Sequence, residues 1–314
     1  MKAITAPFLI SSALALIACA PSGRGDDGGG DDDGSNNPDT PDAGMVAAGK
    51  CSKMDILFVV DDSGSMAEEQ GNLASNFPQF ATLLSNYTNA EGQHIDFRVA
   101  VTTTGRTITY TIQSGPISLP TTEEGDNGAF REGCGVSRRW LEPTDTNLGS
   151  ALSCRAGVGT SGPGYEMPLL MSKFALADRV SDGTNAGFLR QDALLGIVYL
   201  TDEDDSSTTQ NNFTLSITSP GPTPNWNPQD QITFLDNLKG HRSRWAAGVI
   251  AGEQSCSSSF GDAAEATRLK QFVQMTNANG PQQAVFSSIC AGDLTTALDD
   301  VISKFQAACG GIIL

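Results

Sequence analysis

The chain is poor in histidine, in basic side chains and in long apolar runs. Only two histidines, His94 and His241, occur in 314 residues. Imidazole catalysis and a histidine-built zinc site both need such side chains gathered in space, so neither is expected. Lysine and arginine number 19 against 36 acidic residues, for a formal net charge of −17. That sign excludes a phosphate-backbone binder, and no nucleic-acid partner is expected. The apolar run Phe8 to Ile17 falls well short of the roughly 20 residues that a membrane-spanning helix needs. No C-x-x-C spacing occurs among the seven cysteines, which argues against a structural zinc or thioredoxin-type redox site. What is plentiful is oxygen, in carboxylates and hydroxyls, and function is expected to come from those groups.

The first residues read as an address. Lys2 precedes the apolar run, in the order of a secretory signal. The run ends Leu16-Ile17-Ala18-Cys19, which resembles the lipobox of bacterial lipoproteins. The resemblance implies a lipoprotein signal peptide over 1–18, cleavage before Cys19, and a lipid on Cys19 as the sole membrane contact. Ala20 in place of aspartate implies sorting within the cell envelope to the outer membrane, with the face left open. Residues 19–48 are mostly Gly, Asp, Asn, Pro and Ser, a composition that buries too little surface to offset its conformational entropy. They are expected to form a self-repelling tether. Asp31-Asp32-Asp33-Gly34 lacks the closing glutamate and flanking helices of a calcium loop.

Setting Cys19 aside leaves an even set of six cysteines, and export makes disulfides natural. Proximity and element order suggest Cys51 with Cys309, closing the ends of a domain over 49–310, then Cys134 with Cys154, and Cys256 with Cys290.

That domain alternates strand and helix signals. Apolar runs of the kind buried on both faces of a sheet occur at Met54–Val60, Phe97–Thr102, Ala193–Leu200, Trp245–Ala251 and Ala284–Phe286. Between them lie helical stripes: Leu73, Phe77, Phe80, Leu84 and Tyr87, with Pro78 expected to kink or restart the helix; then Leu269, Phe272, Val273 and Thr276; then Leu294, Leu298, Val301, Ile302 and Phe305 behind Asp293. A further helix is expected over 166–177. The fold class this implies is α/β, doubly wound, with a mainly parallel central sheet and helices on both faces. Ligands of such sheets bind at the carboxyl ends of the strands.

At that edge, the first strand is followed by Asp61-Asp62-Ser63-Gly64-Ser65. Asp61, Ser63 and Ser65 stand at i, i+2 and i+4, so one tight loop can aim three oxygens at a point. A later strand ends Thr201-Asp202, followed by Glu203, Asp204 and Asp205. Together these residues resemble the metal-ion-dependent adhesion site of the von Willebrand factor type A domain: Asp-x-Ser-x-Ser after the first strand, a threonine from a middle loop, and a Thr-Asp pair after a later strand. The resemblance implies a metal set of Asp61, Ser63, Ser65, Thr160 and Asp202, with Ser161 as the alternative to Thr160 in Gly159-Thr160-Ser161-Gly162. It implies Mg2+, with Mn2+ or Ca2+ as substitutes, and an acidic protein, peptide or polysaccharide partner whose carboxylate completes the shell. It covers roughly residues 50–308, interrupted by an insertion near 105–158, and Glu203-Asp204-Asp205 departs from the glycine usual after Thr-Asp. A solvated loop is expected for those carboxylates, with a second cation as the alternative.

Three other readings stand beside this one. Asp-Ser-Gly-Ser is also a helix start, with Asp62 or Ser65 as the cap. Asp61, His94 and Ser161 follow the order of a subtilisin-like hydrolase, but Gln93-His94-Ile95 lacks that family's context and no Gly-x-Ser-x-Gly occurs, so no enzymatic activity is expected. A structural envelope lipoprotein with a stabilising metal is the third.

Overall fold

The apolar runs converge on one sheet. In this computed structural model, which describes residues 51–258, 261–278, 280–291 and 294–312, strands β1 (Lys53–Val60) and β2 (Asp96–Thr103) pair in parallel. β3 (Ile108–Ser114), β4 (Ile117–Glu123), β5 (Leu194–Leu200) and β6 (Asn212–Leu215) follow. The remaining strands are β7 (Trp245–Ala251), β8 (Cys256–Ser258), β9 (Gly261–Ala263) and β10 (Ala284–Ser288). The central sheet runs β10-β7-β5-β1-β2, parallel throughout. The signal peptide, Cys19 and the tether lie outside the described residues, as does Asp293.

Helices α1 (Ala67–Asn86), α2 (Leu148–Ala156), α3 (Pro168–Lys173), α4 (Arg179–Ser181), α5 (Pro228–Lys239), α6 (Thr267–Ala278) and α7 (Leu294–Gly310) cover both faces. Alternate β1 residues feed two cores. Ile56, Phe58 and Val60 meet Phe77 and Phe80 of α1 and Phe305 of α7; Leu57 and Val59 share the other with Tyr199, Trp245 and Phe272. Burial on both sides is why the strands read as unbroken apolar runs. The helix α7 lies close because Gly248 lacks a side chain: a Cβ there would come within 2.3 Å of Val301 Cγ2. These cores and three disulfides, Cys51–Cys309, Cys134–Cys154 and Cys256–Cys290, all lie within Met45–Leu314, one compact unit. That unit has its own core, as an independently folding domain requires.

Two expectations change here. Pro78 does not restart α1, which runs unbroken from Ala67 to Asn86. The carbonyl that Pro78 leaves without a helical donor, that of Ala74, accepts instead from Ser153 Oγ of α2 at 2.6 Å. The helix expected over 166–177 begins only at Pro168, continues as a π-turn over Phe174–Asp178, and leaves Glu166 in the loop before it. The insertion holds β3, β4, α2 and the Cys134–Cys154 disulfide, and β3 and β4 form a second sheet with β6 in the order β4-β3-β6.

Candidate metal site

The strand β1 ends where Asp61-Asp62-Ser63-Gly64 turns away from the sheet. Its neighbour β5 ends in register, Val60 opposite Leu200, and the Asp61 N–H donates to the Leu200 carbonyl at 2.9 Å. Asp61 and Asp202 thus arrive at one edge. The Asp61 carboxylate is fully buried. One oxygen accepts the Ser63 N–H at 2.8 Å and Thr104 Oγ1 at 3.4 Å; the other accepts Thr201 Oγ1 at 2.6 Å. The Ser63 and Ser65 hydroxyls lie 2.9 Å apart, and Ser65 stands beside the Asp202 carboxylate, where it favours the charged form. Ser65 is exposed, so the cluster opens to solvent on that side. Neither the 3-10 turn Gly64–Met66 nor α1 has a side-chain cap, so Asp62 and Ser65 are not spent as helix caps.

Asp61, Ser63, Ser65 and Asp202 are therefore brought together. Thr160 is not among them: it is exposed, as is Ser161, and their loop reaches the edge through Gly162, whose N–H donates to the Asp62 carbonyl at 2.7 Å. The hydroxyls beside Asp61 come instead from Thr104, after β2, and Thr201. The middle loop contributes Glu166, 1% exposed, facing Asp61 and Glu203. A proline at the first helical position biases the residue before it away from helix, so Pro168 was the available signal that Glu166 stands outside α3.

Burial and mutual repulsion dominate the electrostatics. Burial raises the Asp61 carboxyl above its usual range. Burial first, and Asp61 second, push Glu166 up to about 10 and Asp202 up to about 7. Asp62 reaches about 7 through burial, Asp126 and Asp61. The buried atoms Asp202 Oδ1, Asp62 Oδ1 and Glu166 Oε1 have no hydrogen-bond partner. Buried carboxyl oxygens without partners are costly, and these groups either keep their protons, as the raised Glu166 does, or need a cation to compensate the charge. Among the described residues no three carboxylates, imidazoles or thiols lie close enough to hold an ion unaided, so the donor set is mixed, hydroxyls with carboxylates, as hard divalent cations accept.

The acidic run after Asp202 is a solvated loop only at Glu203, which is exposed. Asp204 accepts the N–H groups of Arg268 and Leu269 at 2.9 and 3.2 Å, at the start of α6. Asp205, 2% exposed, accepts the Leu169 N–H at 3.2 Å and pairs with Arg268 Nη2 at 3.2 Å. Both carboxylates fasten helices, which leaves neither free for a second cation. The hydrolase arrangement is likewise not assembled. His94 precedes β2 at its far end, and the strand's eight residues separate it from Asp61 by roughly 25 Å.

A five-stranded parallel sheet in this order, covered on both faces, with Asp-x-Ser-x-Ser after β1 and Thr-Asp after the adjacent β5, decides the architecture. The fold is of the von Willebrand factor type A kind. No family model matches the chain, and no curated protein matches it in sequence. Several solved structures are similar. Proximal thread matrix protein 1 from the mussel byssus is 15% identical, over 81% of this chain and 48% of that one, with a TM-score of 0.41. The pilus adhesin SpaC from Lactobacillus rhamnosus GG is 12% identical, over 83% of this chain and 31% of that one, at 0.42. Manganese-loaded TRAP from Plasmodium vivax is 14% identical, over 81% and 74%, at 0.37. The chain thus spans less than half the length of the first two.

Two expected outcomes follow for this cluster. Thr160→Ala leaves divalent-cation affinity unchanged, whereas Glu166→Gln weakens it by about tenfold or more, within the range typical of groups that support a metal; calorimetric titration of both variants checks the contrast. The second concerns pH. Asp62 and Asp202 stand at about 7 in the fold against 3.8 for an unperturbed carboxyl. Raised carboxyls stabilise the fold below the unfolded value, and that stability is lost as pH rises through 7. Chelator-treated protein should therefore melt several degrees lower at pH 8 than at pH 5.5, and divalent cation should remove most of the difference.

Proposed function

We propose that the protein is a binding module that recognises a carboxylate-bearing partner through a divalent cation at the Asp61 edge. One observation carries the reading: Asp202 Oδ1 and Glu166 Oε1 are buried without donors beside the buried Asp61 carboxylate, in a chain of net charge −17. Ser63, Ser65 and Asp202 would hold the ion, with Asp61 behind them and Glu166 facing them. Hard oxygens suit Mg2+, with Mn2+ or Ca2+ able to substitute. Bound there, the ion supplies a fixed positive charge. The protein's own part is to fix the loop that presents the hydroxyls, as Asp61 does through the Ser63 N–H, and to leave an approach at exposed Ser65. An incoming carboxylate is then favoured by charge and geometry, which lets an acidic partner dock on an acidic protein.

The lipobox resemblance supports a setting in the cell envelope, with Cys19 lipidated, the tether projecting the domain, and an acidic protein, peptide or polysaccharide as partner. Calorimetric titration of Mg2+, Mn2+ and Ca2+ into the Met45–Leu314 unit tests the site. Saturable binding weakened by Asp202→Ala supports the reading; a folded wild type that binds none of the three rejects it.

A further inference from the structure

The second sheet stands on the same edge as the metal cluster, because its strands leave the C-terminal ends of β2 and β5. Its base is firmly rooted. The Arg106 guanidinium donates to the carbonyls of Thr208 and Gln210 at 2.5 and 2.9 Å, tying the two segments together. Tyr110 stacks on Phe213 with ring centroids 5.6 Å apart, and Tyr165 meets both edge-on.

Beyond that base the same face continues without cover. Ile112 pairs with Leu119 on one side and Leu215 on the other, so the three share a face with Tyr110 and Phe213. Ile117 lies two residues beyond Leu119, and Ile217 two beyond Leu215. Among the described residues, the exposed large apolar side chains are Ile112, Ile117, Leu119 and Ile217, at 40%, 56%, 55% and 95%. All four sit on this arm. Beyond its base, where Glu123 accepts the Tyr110 hydroxyl at 2.6 Å, it is also uncharged: no Asp, Glu, Lys or Arg occurs in 107–122 or 206–229, in a chain with 36 acidic residues. The outer edge is guarded, since β4 carries Pro120, which cannot donate to an added strand. On the β4 side it is therefore the face, and not the edge, that the arm offers.

We propose that this face is where two copies of the chain meet, arm against arm across a two-fold axis. Two molecules of charge −17 repel wherever their surfaces carry that charge, and the arm is a large surface that carries none. An apolar strip along one sheet face can meet its own copy under two-fold symmetry. Each copy contributes a patch on the order of 400 Å2, the size that on a monomer commonly marks an interaction site. Two such patches with their Ser, Thr and Pro margins approach the roughly 1,000 Å2 that a specific interface needs. The dimer is accordingly weak, and its strength depends on salt in a particular sense. Screening reduces the long-range repulsion between the acidic bodies and leaves the apolar contact in place, so added salt strengthens the association. A dimer held by ion pairs behaves in the opposite way.

Sedimentation equilibrium on the Met45–Leu314 unit, across micromolar to millimolar protein and with chelator present, tests this. The expected result is a monomer–dimer equilibrium that tightens by about tenfold from low to high salt and is indifferent to divalent cation. A combined Ile117→Ser, Leu119→Ser, Ile217→Ser variant should dissociate at least about tenfold more readily with an unchanged melting temperature, since these side chains are outside both cores. The proposal is overturned by a protein that stays monomeric at high salt, by association that the triple variant leaves intact, by association that salt weakens, or by a monomer that instead binds phosphatidylcholine vesicles through the same residues. Association abolished by chelator overturns it too, because it assigns the contact to the metal site and not the arm. Only the chelator-sensitive outcome bears on whether the Asp61 cluster holds a cation; the others leave that question untouched.

Discussion

Asp61→Asn should lower divalent-cation affinity by about 100-fold or more, since loss of a group that only supports a ligand already costs about 10- to 100-fold. The expectation rests on position. Asp61 is fully buried, accepts from Ser63, Thr104 and Thr201, and shares its edge with Asp202 and Glu166. Removing its charge removes much of the field that attracts the ion and loosens the loop that aims the serine hydroxyls. A second consequence separates this account from simple misfolding. A buried carboxylate without a cation burdens the fold, so the chelated variant should melt no lower than chelated wild type near pH 7.5. Wild type at 100 times its dissociation constant gains about 2.7 kcal/mol from the ion, or roughly 5–10 °C for a domain of this size. The variant should gain almost none of that, which a pair of melting curves with and without cation would measure.

Breaking the Cys51–Cys309 disulfide should cost about 3–5 kcal/mol in denaturant unfolding, the upper part of the range for natural disulfides. The bond spans 258 residues and fastens the start of β1 to the end of α7. Without it the unfolded chain regains the entropy of a very long loop, while the native contacts stay in place. Cys134→Ser, which opens a loop spanning 20 residues, should cost less, about 2–3 kcal/mol. Equal losses from the two would contradict the loop-length argument and point to local strain.

Much of this was legible in the chain itself because the signals were local. Strands buried on both faces announce themselves as apolar runs, and all five runs became the central sheet. Asp61, Ser63 and Ser65 lie within five residues, so a single turn brings them together, and Asp202 followed from the sheet rule. The parts that were not legible depend on contacts between distant segments. Pro78 looks like a helix breaker until Ser153 is known to reach the Ala74 carbonyl. Glu166 looks like a helical residue until Pro168 is read as the helix start. Thr160 has the right type in a plausible loop, but the loop closes on Asp62 through Gly162 and leaves Thr160 in solvent. Asp204 and Asp205 look like solvated charge, and the backbone N–H groups of α6 and α3 that capture them come from far along the chain. The arm carries a different signal: apolar residues alternate with polar ones at Ile108, Tyr110 and Ile112, at Ile117 and Leu119, and at Phe213, Leu215 and Ile217, the pattern of a strand covered on one face, which is easily passed over beside the unbroken runs of the central sheet.

The central claim is that the bound ion keeps a position open for a partner's carboxylate. Water-proton relaxation of Mn2+ bound to the Met45–Leu314 unit, followed while glutarate is added, tests it most directly. The account expects bound Mn2+ to retain exchanging water, and the relaxation enhancement to fall saturably as the dicarboxylate displaces it. Binding of Mn2+ with no response to glutarate would contradict the account, because it would mean that the protein's own groups enclose the ion and hold it only for stability.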